Sequence, residues 1–209
     1  MKILLLGATG LVGSHVLEMA IADERIGEVI APIRRPIPRR PGLVTHLVEF
    51  EHLPEEAPWW GVNAVICALG TTMKKAGSRE AFRRVDHHYP LQAARLARRH
   101  GTPTFVLNSA VGADPDSRFF YNRVKGELER DLRDMDFNSL TFVRPGLISG
   151  QRSEFRLGER VAEGVLNAAA PLLPRRWRVN PAENIAAAMV QAAVEGIEGE
   201  RVIGSERLA

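Results

Sequence analysis

The amino-terminal stretch Lys2 to Val16 constrains the fold more than any other part of the chain. Ile3-Leu4-Leu5-Leu6 is a continuous apolar run, too short for a helix and closed by Gly7, and it reads as a strand buried on both faces of a parallel sheet. Beyond the glycines, Leu11, Val12, Val16, Leu17, Ala20 and Ile21 recur at helical spacing. The local order is therefore strand, glycine-rich turn, helix. Gly7 leaves the strand at a backbone angle barred to other residues, Gly10 keeps no side chain between the backbone and an approaching anion, and Gly13 lets the helix lie close. The first amides of such a helix are unpaired and sit at the positive end of its dipole, so the turn is suited to a dinucleotide diphosphate.

The 209 residues, 45% of them hydrophobic and 25% charged, suffice for one good-sized core. One domain spanning residues 1–209 is expected, with a small carboxyl-terminal portion on the substrate side. Only four of the 28 basic residues are lysines, and the arginines are scattered, without a basic stretch interleaved with aromatics. Nucleic-acid binding is not expected from that pattern. The single cysteine, Cys67, lies in an apolar run and reads as a core residue, excluding an internal disulfide or a cysteine-rich metal site. With no basic-then-apolar leader and no run of spanning length, the expectation is a soluble, cytoplasmic protein away from membranes.

Glu28 to Ile33 reads as the second strand, and Arg34-Arg35 follow it. In a dinucleotide-binding fold an acid at about this place takes the ribose hydroxyls, whereas arginine accommodates a 2′-phosphate. No acid stands between Glu28 and Glu49, which favours NADP(H) over NAD. Leu43 to Phe50 alternates as a third strand, and Ala64 to Leu69 forms a fourth, closed by Gly70. Because ligands sit beyond the carboxyl ends of the strands in such sheets, Leu69 and Gly70 are expected beside the dinucleotide. Thr71 to Gly77 reads as a mobile basic loop, and Ser78 caps a helix bent at Pro90 and running to His100. His87 and His88 have no ligand partner at helical spacing, so no metal site is expected.

A fifth strand, Thr104 to Ser109, delivers Ser109 at its carboxyl end, and Tyr121-Asn122-Arg123-Val124-Lys125 opens a later helix. Tyrosine and lysine four apart share a helix face. A phenol titrates near 10, and an ammonium about 4 Å away contributes roughly 4 kcal/mol at an effective dielectric near 20, enough to bring it towards neutrality. That is the tuning general acid–base chemistry requires.

Glycine turn, serine, tyrosine and lysine stand in the order found in short-chain dehydrogenases, which this chain resembles. With Leu69-Gly70-Thr71-Thr72, Lys75-Ala76-Gly77, Val85-Asp86, Tyr121 to Glu127 and Arg144-Pro145-Gly146, it is most similar to the Tat-interacting-protein family, atypical members that bind NADPH. The resemblance implies an α/β, Rossmann-like, doubly wound parallel sheet of about seven strands with helices on both faces. It implies cofactor contacts at Thr9, Gly10, Leu11, Val12, Arg34, Arg35, Leu69, Gly70, Tyr121, Lys125, Ile148 and Arg156. Asp86 departs from the wider short-chain dehydrogenase pattern, standing roughly where many of those relatives carry an asparagine of the proton relay.

The resulting expectation is an NADPH-dependent oxidoreductase acting on a small carbonyl compound, as a monomer or homodimer. Tyr121 gives the proton, Ser109 orients the carbonyl oxygen, and Lys125 tunes the tyrosine and holds the ribose. A cofactor-sensing regulator without turnover and a nucleotide-sugar epimerase are the alternatives, since the fold alone does not choose among them. A helix from Arg156 to Ala170 and a final helix from Asn180-Pro181 to Glu195 complete the reading, with an edge strand at Arg201 to Gly204.

Overall fold

The computed structural model describes residues 1–149 and 179–209. Its elements are β1 (Lys2–Leu6), α1 (Leu11–Ala22), β2 (Glu28–Ile33), β3 (Leu43–Leu47), β4 (Ala64–Cys67), α2 (Met73–Ala76) and α3 (Arg79–Arg83). A π turn (Arg84–His88) then leads into α4 (Tyr89–Arg99), β5 (Thr104–Asn108), α5 (Phe120–Arg133), β6 (Ser139–Arg144) and β7 (Leu147–Ser149). The chain closes with β8 (Val179–Pro181), α6 (Ala182–Glu195) and β9 (Gly199–Gly204).

Seven strands form one sheet in the order β3-β2-β1-β4-β5-β6-β9, every neighbouring pair parallel. This is the Rossmann-like α/β fold expected from the sequence, and its strand order reverses between β1 and β4, where a crevice opens beyond the carboxyl ends. Because side chains alternate across each strand, the sheet feeds two cores. Ile3, Leu5, Ile66 and Val106 join α1 and α6 on one face. Leu4, Leu6, Cys67, Phe105 and Leu107 join α4 and α5 on the other. Burial pushes the Cys67 thiol up to about 12, so this residue is an inert core side chain.

Three local expectations are corrected. Thr71 to Gly77 is not a plain loop: the Thr72 hydroxyl accepts from the Lys75 amide at 3.2 Å and starts the single turn α2, which Gly77 ends at φ +77°. The bend near Pro90 is a π turn just before it. Proline has no N–H to give the Asp86 carbonyl, so the helix widens there instead of continuing its four-residue ladder. Asn180 does not cap α6; it is buried in β8, where its Oδ1 accepts from the Gly146 amide at 2.7 Å and from Ser205 Oγ at 2.8 Å. Those bonds tie the segment after β6 to the carboxyl terminus. The helix expected at Arg156 to Ala170 lies outside the described residues, as does the proposed contact Arg156 itself. Among the described residues no helix is long and apolar enough to cross a membrane.

Candidate active site beyond the carboxyl ends of the strands

The glycine turn is built by close backbone approach. Gly7 adopts φ +87°, and a Cβ there would meet the Ala68 carbonyl at 2.8 Å. A Cβ on Gly13 would stand 1.9 Å from the Gly7 oxygen, so α1 is seated directly on the turn. Gly10 differs: its amide donates to Gly7 O at 2.9 Å, and an added Cβ would meet only that oxygen, at 3.2 Å. Gly10 is the residue before α1, no side chain caps the helix there, and Thr9 and Gly10 are exposed. Leu11 is half-buried and Val12 is buried beneath it. The amides of Leu11, Val12 and Gly13 lie in the first turn, where a helix offers no internal acceptor. These residues fit an anionic diphosphate by shape and by donors, without a charged side chain.

Arg34 and Arg35 follow the carboxyl end of β2, both exposed, and form no ion pair among the described residues. Their neighbour Arg40 is held by Glu18 across the surface of α1. Leu69 and Gly70 follow β4, half-buried and exposed in turn. Ile148 lies on β7, 39% exposed, beyond the Arg144-Pro145-Gly146 segment.

Tyr121 occupies the first turn of α5 and is 40% exposed, its ring 5.6 Å from that of Phe82. Lys125, one turn later, is 3% exposed. Its Nζ lies 2.8 Å from Oδ1 of Asp86, itself 1% exposed, and Oδ2 of Asp86 accepts from the Thr71 amide at 2.8 Å. Burial works against the lysine charge, but Asp86, and after it Tyr121, outweigh that penalty and hold the ammonium above the usual lysine range. The departure marked at Asp86 is therefore a salt bridge to the lysine of the tyrosine–lysine pair. An ammonium so paired has a weaker field at the tyrosine than the bare charge from which tuning was expected.

Ser109 is where the geometry departs from expectation. It is 4% exposed, and its Oγ donates to Glu129 Oε1 at 2.5 Å. A hydroxyl has one proton to give, and this one is committed to a buried carboxylate rather than held out for a carbonyl oxygen. The reason lies in strand alternation: Ser109 falls on the same face as Leu107 and Phe105, towards α5.

Glu129, 1% exposed, is the group that sequence reasoning missed. Arg144 grips it with two donors, Nε at 2.9 Å and Nη2, and Arg133 Nη2 stands 3.4 Å away. With Ser109, four donors satisfy both oxygens. The one available signal is its place one turn after Lys125, a charged residue on the buried face of an amphipathic helix. Gly126 was likewise legible only as a glycine inside a helix. A Cβ there would meet Asp114 and Pro115 backbone at 2.2 to 2.4 Å, so the connection from β5 lies hard against α5.

Relatives supply the family. The chain is 34% identical over 220 residues to a protein named mitochondrial fmp52 of Aspergillus niger, covering 99% of this chain and 93% of that one. A mitochondrial FMP52 of Coccidioides immitis is 30% identical over 224 residues, covering 98% and 90%. The chain belongs to the Fmp52 family. The names of these relatives place them in mitochondria, which overturns the expectation of a cytoplasmic protein. No model of a protein family matches the chain. Among solved structures, MoeE5 in complex with UDP-glucose and NAD superimposes with a TM-score of 0.74 at 16% identity, covering 98% of this chain and 76% of that one. The oxidoreductase ylbE from Lactococcus lactis gives 0.68 at 16% identity, covering 100% and 94%. At such identities the likeness is one of fold.

Proposed function

We propose that this Fmp52-family chain binds a nicotinamide dinucleotide, preferring NADP(H), and reduces a small carbonyl compound with Tyr121 as proton donor. The observation that carries this reading is the exposed phenol of Tyr121, one turn from buried Lys125, at the same edge of the sheet as the open glycine turn. The amides of Leu11 and Val12, with Thr9 and the bare backbone of Gly10 beside them, hold the diphosphate, while Gly7 and Gly13 shape the turn. Arg34 and Arg35 take the 2′-phosphate through charge-assisted bonds. Leu69 and Gly70 line the crevice, Lys125 donates to ribose hydroxyls, and Ile148 borders the nicotinamide. The bound coenzyme supplies the hydride. Tyr121 passes its phenolic proton to the carbonyl oxygen from the mouth of the crevice, where its exposure lets solvent restore the proton. Likeness to the NADPH-binding Tat-interacting-protein family supports the choice of coenzyme.

A second reading is a coenzyme sensor without turnover. It is favoured by the commitment of the Ser109 proton to Glu129 and by the pairing of Lys125 with Asp86, which leave Tyr121 without the partners that carbonyl reduction ordinarily uses. Fluorescence titration with NADPH and NADH, followed by a panel of aldehydes and ketones, separates the two. Oxidation of NADPH that disappears in Tyr121→Phe, with coenzyme binding kept, supports the enzyme. Tight binding with no oxidation of any panel member supports the sensor, and no binding of either coenzyme refutes both.

A further inference from the structure

The ion pair beneath Gly70 combines two properties that rarely occur together. Lys125 has three N–H donors, and among the described residues only Asp86 is within bonding distance of its ammonium. Asp86 divides its oxygens between Lys125 and the Thr71 amide. A Cβ on Gly70 would lie 3.4 Å from Asp86 Oδ1 and 3.9 Å from Lys125 Nζ, yet Gly70 itself is exposed. The missing side chain thus leaves an opening above a buried ammonium that has donors to spare and no net charge once paired. The other ionisable groups acting on the lysine are Tyr121 on its own helix and Cys67 of β4, whose thiol burial keeps protonated.

We propose that Asp86 is a positioning residue that cancels the Lys125 charge, so that the remaining ammonium donors serve uncharged hydroxyl oxygens, as of a sugar diol, and do not capture an anion. The identity of the diol rests on the dinucleotide reading; the charge balance does not. An unpaired ammonium in this opening would draw in the nearest anion, including a phosphate that belongs on the glycine turn. Paired at 2.8 Å with a carboxylate, it presents a dipole whose field decays quickly, and hydrogen bonding rather than charge selects the ligand.

The test uses the full chain free of ligand. Phenolate absorbance is followed against pH, and because the chain has two tyrosines, Tyr121→Phe identifies the Tyr121 step. Asp86→Asn keeps an acceptor for the Thr71 amide and removes the negative charge, so the Tyr121 step should move to lower pH by on the order of one unit. Lys125→Met leaves the carboxylate alone and should move it the other way, so either variant that retains its far-ultraviolet circular dichroism suffices. Inorganic phosphate should raise the melting temperature of Asp86→Asn more than that of the unaltered chain. An unmoved tyrosine step in the folded variants, or equal stabilisation by phosphate, overturns the proposal. Neither measurement involves a nicotinamide coenzyme, so failure to bind NADPH would remove the proposed function and leave this test standing.

Discussion

The turn between β1 and α1 and the inner face of α5 meet at one crevice and are built by opposite means. The turn uses backbone alone: Gly7 and Gly13 are in contact because neither has a side chain, and no charged group caps the helix. The α5 face uses buried charge: Lys125 reaches Asp86 and, through it, the Thr71 backbone, while Glu129 reaches Ser109 and Arg144. Those partners stand on the connections that follow β4 and β5 and on the last residue of β6. The first region resists change of shape, and the second resists loss of a partner. The sharpest break is therefore Gly13→Ala. Its methyl would meet the Gly7 carbonyl at 1.9 Å, and both atoms sit on backbone that cannot rotate away. The expected loss exceeds about 4 kcal/mol, a large fraction of a domain's stability. Soluble yield and urea denaturation would check it; a normal midpoint would mean that α1 can slide on the turn.

Glu129→Ala tests the other region. It leaves Arg144 partly buried without its carboxylate and Ser109 without its acceptor, and breaking such a buried pair costs about 3 to 5 kcal/mol. Ser109→Ala removes one donor and should cost about 1 to 3 kcal/mol by leaving a lone pair of Glu129 unserved. The double variant should lose less than the sum of the two, because the residues share one network. Strict additivity in urea denaturation would show that the Ser109–Glu129 bond carries no coupling.

The same contrast explains what the sequence disclosed. Strand, glycine turn and helix are properties of neighbouring residues, so the spacing of Gly7, Gly10 and Gly13 announced both the fold and the first half of the crevice. The second strand was equally legible, and Glu28 to Ile33 stands as read, whereas the third and fourth, read to Phe50 and Leu69, stop at Leu47 and Cys67 because the sheet's pairing ends before the apolar run does. The charges on α5 were not. Tyr121 and Lys125 were found through their spacing on one helix, but Asp86 lies on a π turn and Arg144 at the end of β6, and only tertiary folding brings them to α5. Ser109 stands just past the end of its strand, which stops at Asn108, and the pleat turned its hydroxyl towards Glu129. Asn180 misled for a similar reason, since a residue two before a helix caps it only if its side chain has no better partner, and Gly146 and Ser205 offered one.

Coenzyme preference sharpens the comparison where the backbone-built region meets side chains. Arg34→Ala and Arg35→Ala should each weaken NADPH binding by about 1.5 to 3 kcal/mol, the range for hydrogen bonds to charged groups, and leave NADH nearly unchanged. The glycine turn is common to both coenzymes, so the ratio of the two dissociation constants isolates the arginines. Equal losses for NADPH and NADH would place the 2′-phosphate elsewhere and leave Arg34 and Arg35 as surface residues.

The smallest effect is expected where the α5 network reaches solvent. Arg133 stands between Glu129, which is buried, and Glu200 of β9, to which it donates from Nη2 at 2.8 Å and from Nε at 2.9 Å. The Arg133 hydrogen bonds hold the Glu200 carboxyl below the usual glutamate range, outweighing partial burial. A carboxyl lowered in the folded state contributes stability above its unfolded value, near 4.5, and that contribution fades as pH falls through the folded value. Because the Glu200 side chain is 39% exposed, solvent screens the pair and the contribution should stay below about 1 kcal/mol. Urea denaturation of the unaltered chain and of Glu200→Gln should therefore differ slightly at pH 7 and converge below pH 4.5. A gap that stays constant through that range would mean that Glu200 acts through packing over Phe142, where Arg133 stacks at 4.8 Å, rather than through its charge.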